Sequence, residues 1–361
     1  MKRSVNKTIL NVKPYVPGKP IEEVKRELGL RKVIKLASNE NPYTPSAKVL
    51  KAIEKAALDL NRYPDGDCYY LRQELSKRLG VGPRQFIFGN GSDELIVFAI
   101  RAFVDKEDEV IIAKPSFLIY EIASQIAGAK IKAVPLKGFR YDLDGMKAAV
   151  TDRTKVVFLG NPDNPSGQYF TRADIEGFMK GLSKDILVFI DEAYFEYVDA
   201  KDYVDSIALL KKYSNMIVTR TFSKMYGLAG LRIGYGIASE EVVDYMNRVR
   251  EPFNVNSLAQ AAALACLKDQ AHYRKVARDV KKQRDVIYQG VRKLGLEVQE
   301  SCTNFILIDV KTNASSVTKK LLQKGIIVRD MSFWGLDRYI RVSIGTEKEN
   351  RQLLSTLEEV L

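Results

Sequence analysis

At 361 residues, with 46% hydrophobic and 9% aromatic side chains, the chain is long enough for two packed domains and apolar enough to bury a normal core, which excludes a disordered protein. Its 57 Lys and Arg against 45 Asp and Glu leave a net charge of +12. The cations are scattered, with no long basic run and no recognisable nucleic-acid motif, so they point to small anionic substrates and away from nucleic acid.

The N-terminal stretch MKRSVNKTILNVKPYVPGKP carries Lys2 and Arg3 but no continuous apolar run and no small-residue cleavage site, so a secretory signal is not expected. Residues 1–36 are expected to form an arm packed beside the C-terminal part of the chain. From 37 to 255 short β-branched apolar runs alternate with helix-like stretches, the pattern of an α/β domain with a mostly parallel sheet flanked by helices. QFIFGNGSDELIVFAIRAFV reads as strand, glycine turn and helix; EVIIAKPSFLIY as a strand ended by Pro115; KVVFLGNPDNPSGQYF as a strand and a loop with two prolines. ILVFIDEAYFEY is a strand ending at Asp191, and MIVTRTFSKMYGLAGLRIGYG is a strand, a polar turn and a second strand. Residues 256–361 change texture: a long helical region with a bend, then strands in NFILIDV, IIVRDM and YIRVSIG and a closing helix, together a smaller α/β domain. No apolar run approaches the ~18 residues of a membrane span. Cys68, Cys266 and Cys302 are an odd, scattered set that suits neither a disulfide framework nor a zinc site, so a reducing cytoplasm and no metal are expected. His272, the only histidine, is expected on a helix surface, which leaves acid–base chemistry to Lys, Tyr, Asp, Glu or a cofactor.

In sheets of this class ligands gather at the carboxyl ends of strands, where the unusual polar residues fall. Lys224 follows a strand and precedes glycine-rich chain; a primary amine with a lowered pKa forms an imine with an aldehyde cofactor, although a solvated loop lysine is the commoner meaning of one such residue. Asp191 ends a very apolar strand, where a carboxylate needs a partner such as a pyridinium nitrogen or else caps the next turn. Tyr194 lies in the same loop. Gly91, Ser92 and Asp93 open a helix whose free N–H groups suit a phosphate, without matching a dinucleotide or Walker motif; a plain strand–helix turn fits too. Arg232 is a cation among apolar residues, compensated by a bound anion or by a structural ion pair. Asn164 sits in a Pro-bounded loop and is either a ring-oxygen ligand or turn chemistry, and Phe117 either stacks on a flat ring or is a core aromatic. Alternation in YIRVSIG sets Arg341 on the face opposite Ile340, Val342 and Ile344.

Taken in order, the aromatic plate, Asn loop, Asp-x-x-Tyr, Ser-Lys and Arg resemble the fold-type I, pyridoxal 5'-phosphate (PLP) dependent aminotransferases of class I/II. KPYVPGKPIEEVKRELG, NRYPDG, NPDNPSG, TFSKMYGLAGLRIGY, GIIVRDM and YIRVSIG are similar to the histidinol-phosphate aminotransferases in particular. The resemblance implies that Lys224 is the imine-forming lysine, that Asp191 pairs with the pyridine nitrogen, and that Tyr194 and Asn164 bond the ring oxygen. It implies that Phe117 stacks on the ring and that Gly91, Ser92, Asp93, Ser223 and Arg232 surround the phosphate. Tyr63 would reach the neighbouring subunit's cofactor, making a homodimer with shared active sites, and Tyr15, Asn39, Arg329 and Arg341 would meet glutamate, 2-oxoglutarate and histidinol phosphate. Aromatic amino-acid aminotransferases and threonine-phosphate decarboxylases share this framework. Asp163 and Ser166 stand where many relatives carry Asn and Thr.

Overall fold

A computed structural model describes residues 4–361; Lys2 and Arg3 of the N-terminal arm lie outside the described residues. The strands in chain order are β1 (Ile34–Lys35), β2 (Phe86–Gly89), β3 (Glu109–Lys114), β4 (Lys130–Pro135), β5 (Thr154–Gly160), β6 (Leu187–Asp191), β7 (Met216–Thr221), β8 (Gly234–Ile237), β9 (Glu297–Gln299), β10 (Phe305–Asp309), β11 (Ile326–Ile327), β12 (Arg329–Asp330) and β13 (Tyr339–Ser343). Seven of them form one sheet in the order β2-β8-β7-β6-β5-β3-β4, in which β8 alone runs antiparallel to its neighbours. This is the fold-type I α/β architecture.

The apolar runs become central strands because helices cover both faces. In β5 and β6, Val156, Phe158, Leu187 and Phe189 pack into one core cluster, while Val157, Leu159, Val188 and Ile190 pack into another across the sheet. Helices Ser92–Phe103 and Glu240–Arg248 bury Leu95, Phe98, Val242 and Met246 in the first. Because β3, β5, β6 and β7 are parallel, their carboxyl ends Lys114, Gly160, Asp191 and Thr221 share one edge of the sheet. The antiparallel β8 begins at that edge, which returns Arg232 to it.

The C-terminal strands form an antiparallel sheet, β12-β13-β10-β9. The bend in the long helical region falls at Asp269, between helices Ser257–Lys268 and Gln270–Lys293. The stretch IIVRDM is not one strand. Ile326–Ile327 pair in parallel with β1, Arg329–Asp330 pair with β13, and Val328 turns between the two sheets. The β1–β11 pairing ties the end of the N-terminal segment to the C-terminal part. β4, an edge strand whose lysines face solvent, was not expected from the sequence. His272 is half-buried on helix Gln270–Lys293: its ring meets the buried Tyr273 edge-on at 4.9 Å, and its Nε2 is shielded from solvent. The three cysteines are free. Among the described residues no group of side chains is arranged to hold a metal, and no helix is long and apolar enough to cross a membrane.

Candidate active site

A cavity of about 370 Å³ opens at the shared strand edge. Twelve of the residues singled out in the sequence line it: Tyr15, Asn39, Ser92, Asp93, Phe117, Asn164, Asp191, Tyr194, Ser223, Lys224, Arg232 and Arg341. Gly91 lies beside it as the residue preceding the helix that starts at Ser92. Two others stand elsewhere. Tyr63 is 83% exposed and stacks on Phe253 at 4.8 Å. Arg329 lines a neighbouring cavity, with its guanidinium 5.8 Å from the Tyr15 ring centroid and 4.9 Å from that of Trp334.

Asp191 ends β6 and is buried. Its Oδ2 accepts from the Tyr120 hydroxyl at 2.8 Å and its Oδ1 from the Ala193 N–H at 3.1 Å. Burial pushes its carboxyl up to about 6 despite these two bonds, which pull the other way. No cation bonds it, so the carboxylate is a buried charge with part of its acceptor capacity unused. Tyr120 was not foreseen. It is fully buried, stacks on Phe158 at 4.6 Å and meets Phe117 edge-on at 5.6 Å. A tyrosine in the apolar helix start FLIYEIA was the available signal, because a buried phenol needs a partner.

Lys224 follows β7 and is half-buried, its Nζ 5.7 Å from the Tyr194 ring centroid and 3.5 Å from the Ser38 carbonyl oxygen. Burial, then the nearby guanidinium groups of Arg341 and Arg232, bring its amine down to about 8. A substantial unprotonated fraction is therefore present near neutral pH, as a nucleophile or base needs. The Tyr194 hydroxyl accepts from Asn39 Nδ2 at 2.9 Å, and burial raises its pKa to about 12.

At the opposite end of the cavity, Gly91 takes a φ of 90° just before the helix, leaving the first N–H groups of Ser92–Phe103 unblocked. A Cβ there would lie 2.2 Å from Arg232 Nη2. Arg232 is paired with Asp93 at 2.6 Å, so a structural ion pair stands at this helix start. Both partners are about two-fifths exposed, so the pair itself is worth at most ~1 kcal/mol and gives way readily to a stronger anion. Ser223 sits beside this helix start with its N–H bonded to Thr221 Oγ1.

Arg341 on β13 is buried with no carboxylate bonded to it. Nη1 donates to Asn164 Oδ1 at 2.5 Å, Nη2 donates to the Ala37 carbonyl at 3.1 Å, and Nε has no partner. Burial holds its pKa below the usual arginine value. The strand face opposite the aliphatic core is thus turned into the cavity and not into solvent: Ser343, two residues on, takes the Asn39 N–H at 2.8 Å. Asp163 and Ser166 bond each other at 2.7 Å, and Tyr141 donates to Asp163 at 2.8 Å, which fixes the loop that carries Asn164.

The cavity therefore offers an amine of lowered pKa, a buried carboxylate that no cation bonds among the described residues, an open helix start beside an arginine, and a buried guanidinium that bonds no carboxylate among the described residues. A model of the family Aminotransferase class I and II matches residues 31–357. The chain is 47% identical over 355 residues to a histidinol-phosphate aminotransferase of Moorella thermoacetica, covering 98% of this chain and 92% of that one. It is 46% identical to one from Caldicellulosiruptor saccharolyticus, covering 98% and 99%. The crystal structure of histidinol-phosphate aminotransferase from Sinorhizobium meliloti in complex with pyridoxal-5'-phosphate superposes with a TM-score of 0.92 at 31% identity, over 99% of this chain and 97% of that one. The chain belongs to the class I and II aminotransferase family.

Proposed function

We propose that the protein catalyses PLP-dependent amino transfer between glutamate and imidazole acetol phosphate, giving L-histidinol phosphate and 2-oxoglutarate. The observation that carries this reading is one cavity holding Lys224, Asp191 and Arg341, each with the partner its chemistry needs still to be supplied. PLP fits that donor set. Its ring nitrogen would compensate Asp191, its aldehyde would meet Lys224, and its phosphate would take the N–H groups at Ser92 and the Arg232 guanidinium. When bound, PLP supplies the carbon that carries the amino group and an electron-withdrawing ring that stabilises charge at the substrate Cα.

The chain's own residues do the rest. Asp191, held by Tyr120 and Ala193, would hold the ring nitrogen of PLP and favour its protonated form. Tyr194 and Asn164 would hold the ring oxygen, and Phe117 would lie against the ring. Lys224 Nζ takes the proton from the substrate Cα. Arg341 receives the substrate anion; a guanidinium fork fits the carboxylate of glutamate and the phosphate of the ester alike. Asn39 orients Tyr194, and Tyr15 and Arg329 border the substrate side. The net charge of +12 favours encounter with both anions.

We further propose a homodimer in a cytoplasmic setting, with Tyr63 of each subunit completing the site of the other. Exposed apolar side chains support it: Leu58, Leu60, Tyr63, Tyr70 and Phe253 all face solvent in the single chain, and Tyr63 stacks on Phe253. The decisive experiment is amino transfer from glutamate to imidazole acetol phosphate by purified, PLP-supplemented protein, with Lys224→Ala as the control. Turnover confined to aromatic amino acids, or carbon dioxide release from threonine phosphate without a keto-acid acceptor, would replace this reading.

A further inference from the structure

Trp334, the only tryptophan of the chain, stands on the turn Ser332–Trp334 that leads from β12 to β13. It is the one described residue shared by the active cavity and two neighbouring cavities of about 300 and 330 Å³. Its indole is the partition between them. Three contacts fix it: Nε1 donates to the buried Ser116 carbonyl at 3.1 Å, Arg329 lies 4.9 Å from the ring centroid, and Phe333 meets it edge-on at 5.7 Å. A side chain held in this way presents a preorganised face.

The reactions ask for such a face. Tyr120, Phe117, Asp191, Ser92, Asp93 and Arg232 surround the part of the cavity assigned above to the cofactor. The remaining lining includes Ser38, Asn39, Glu40 and Arg341, which are polar or charged, and, besides Tyr194, which is assigned above to the ring oxygen, two aromatic rings, Tyr15 and Trp334. Tyr15 rides on the N-terminal arm and is 45% exposed, whereas Trp334 is half-buried and pinned. Glutamate has a flexible chain ending in a carboxylate and gains little from a π face. The imidazole of the phosphate ester is flat, and both its neutral and its cationic forms pack well on an indole.

Resting on the amino transfer proposed above, we propose that Trp334 is a specificity-determining residue whose indole receives the imidazole ring of the phosphate ester and takes no part in binding glutamate. The test compares Trp334→Leu and Trp334→Phe in the PLP-loaded enzyme. Trp334→Leu, which keeps an apolar side chain but no π face, should lower kcat/KM for imidazole acetol phosphate by about tenfold or more and leave that for glutamate within about threefold. Trp334→Phe, which keeps a flat ring and loses the bond to Ser116, should stay within about threefold for both. Equal losses for both substrates in Trp334→Leu, or none, overturn the assignment, since a purely structural partition would move the two half-reactions together. If Trp334→Leu fails to fold, the wild-type enzyme decides: tryptophan emission must change saturably with L-histidinol phosphate and much less with glutamate, and equal responses overturn the assignment. Failure of the wild type to aminate imidazole acetol phosphate is a different result, and it removes the amino-transfer reading itself.

Discussion

Asp191 and Lys224 show how burial tunes single groups toward opposite tasks. Among the described residues the Tyr120 hydroxyl is the only side-chain donor on Asp191 and one of two bonds holding its carboxyl down. Tyr120→Phe removes it, raises the Asp191 pKa further above about 6, and weakens its hold on the ring proton. The lost bond to a buried charge is worth ~1.5–3 kcal/mol, so kcat should fall about tenfold with the fold intact by circular dichroism. Unchanged kcat would mean that Tyr120 only packs. For Lys224 the sign is equally definite. Its amine is lowered from 10.5 to about 8, so the unprotonated, reactive fraction grows as pH rises and levels off above that value. Capture of PLP by the apo-protein, read as the borohydride-trapped adduct, should rise from pH 6 and flatten near pH 8–9, well below the range of a free lysine. Arg341 contributes to that lowering as a cation, so Arg341→Leu should move the plateau to higher pH, and a profile identical to wild type would exclude the influence.

At the level of elements, the site exists because strand ends, a helix start and one returning strand are pressed together. Gly234, the first residue of β8, lies against the loop that opens helix Ser92–Phe103: a Cβ there would stand 2.5 Å from Ser92 N and 2.9 Å from Gly91 C, both backbone atoms. Neither element can give way by rotating a side chain. Gly234→Ala should cost ~1–3 kcal/mol by denaturant unfolding and weaken PLP retention, because the helix start proposed to take the phosphate shifts. Gly230→Ala, with nothing within 4 Å of the added Cβ, is the control and should behave as wild type. Across the sheet edge, Arg220 on β7 pairs at 2.8 Å with the fully buried Glu192 that follows β6 and lies 3.6 Å over the Phe195 ring. Arg220→Met leaves the buried Glu192 without its counterion and should lower stability by ~3–5 kcal/mol, measured as the urea midpoint of the apo-protein. The same scale explains what the sequence made legible. Asp191, Lys224 and Ser92 could be found because a polar residue ending an apolar run is a local signal, and local order carried them to one edge. Trp334 and the position of Arg329 could not, since each depends on which distant segment packs against it, and for Tyr120 the sequence showed a buried phenol but not that its partner is Asp191. Trp334 is held at the site by its bond to the distant Ser116, and IIVRDM divides because its halves find partners in different sheets, β1 and β13.

For the whole molecule, the question is whether one chain holds a complete site. Tyr63 does not line the cavity of its own subunit; it stacks on Phe253, and both rings are exposed in the single chain. If each site takes Lys224 from one chain and Tyr63 from the other, two defective variants must be able to repair each other. Lys224→Ala should be inactive, and Tyr63→Phe should lose a phosphate contact worth ~1.5–3 kcal/mol, giving a tenfold or greater loss of PLP retention. Unfolded together and refolded as a mixture, the two would form mixed dimers. One site of each mixed dimer has both lesions, while the other pairs the intact Lys224 of one chain with the intact Tyr63 of its partner. Random assortment of a twofold dimer restores about one quarter of all sites. At limiting PLP, activity of the mixture should therefore climb well above that of either variant alone and above their average, and it should track the mixed-dimer fraction seen by native mass spectrometry. An activity equal to the average would place Tyr63 outside the site, whatever the oligomeric state.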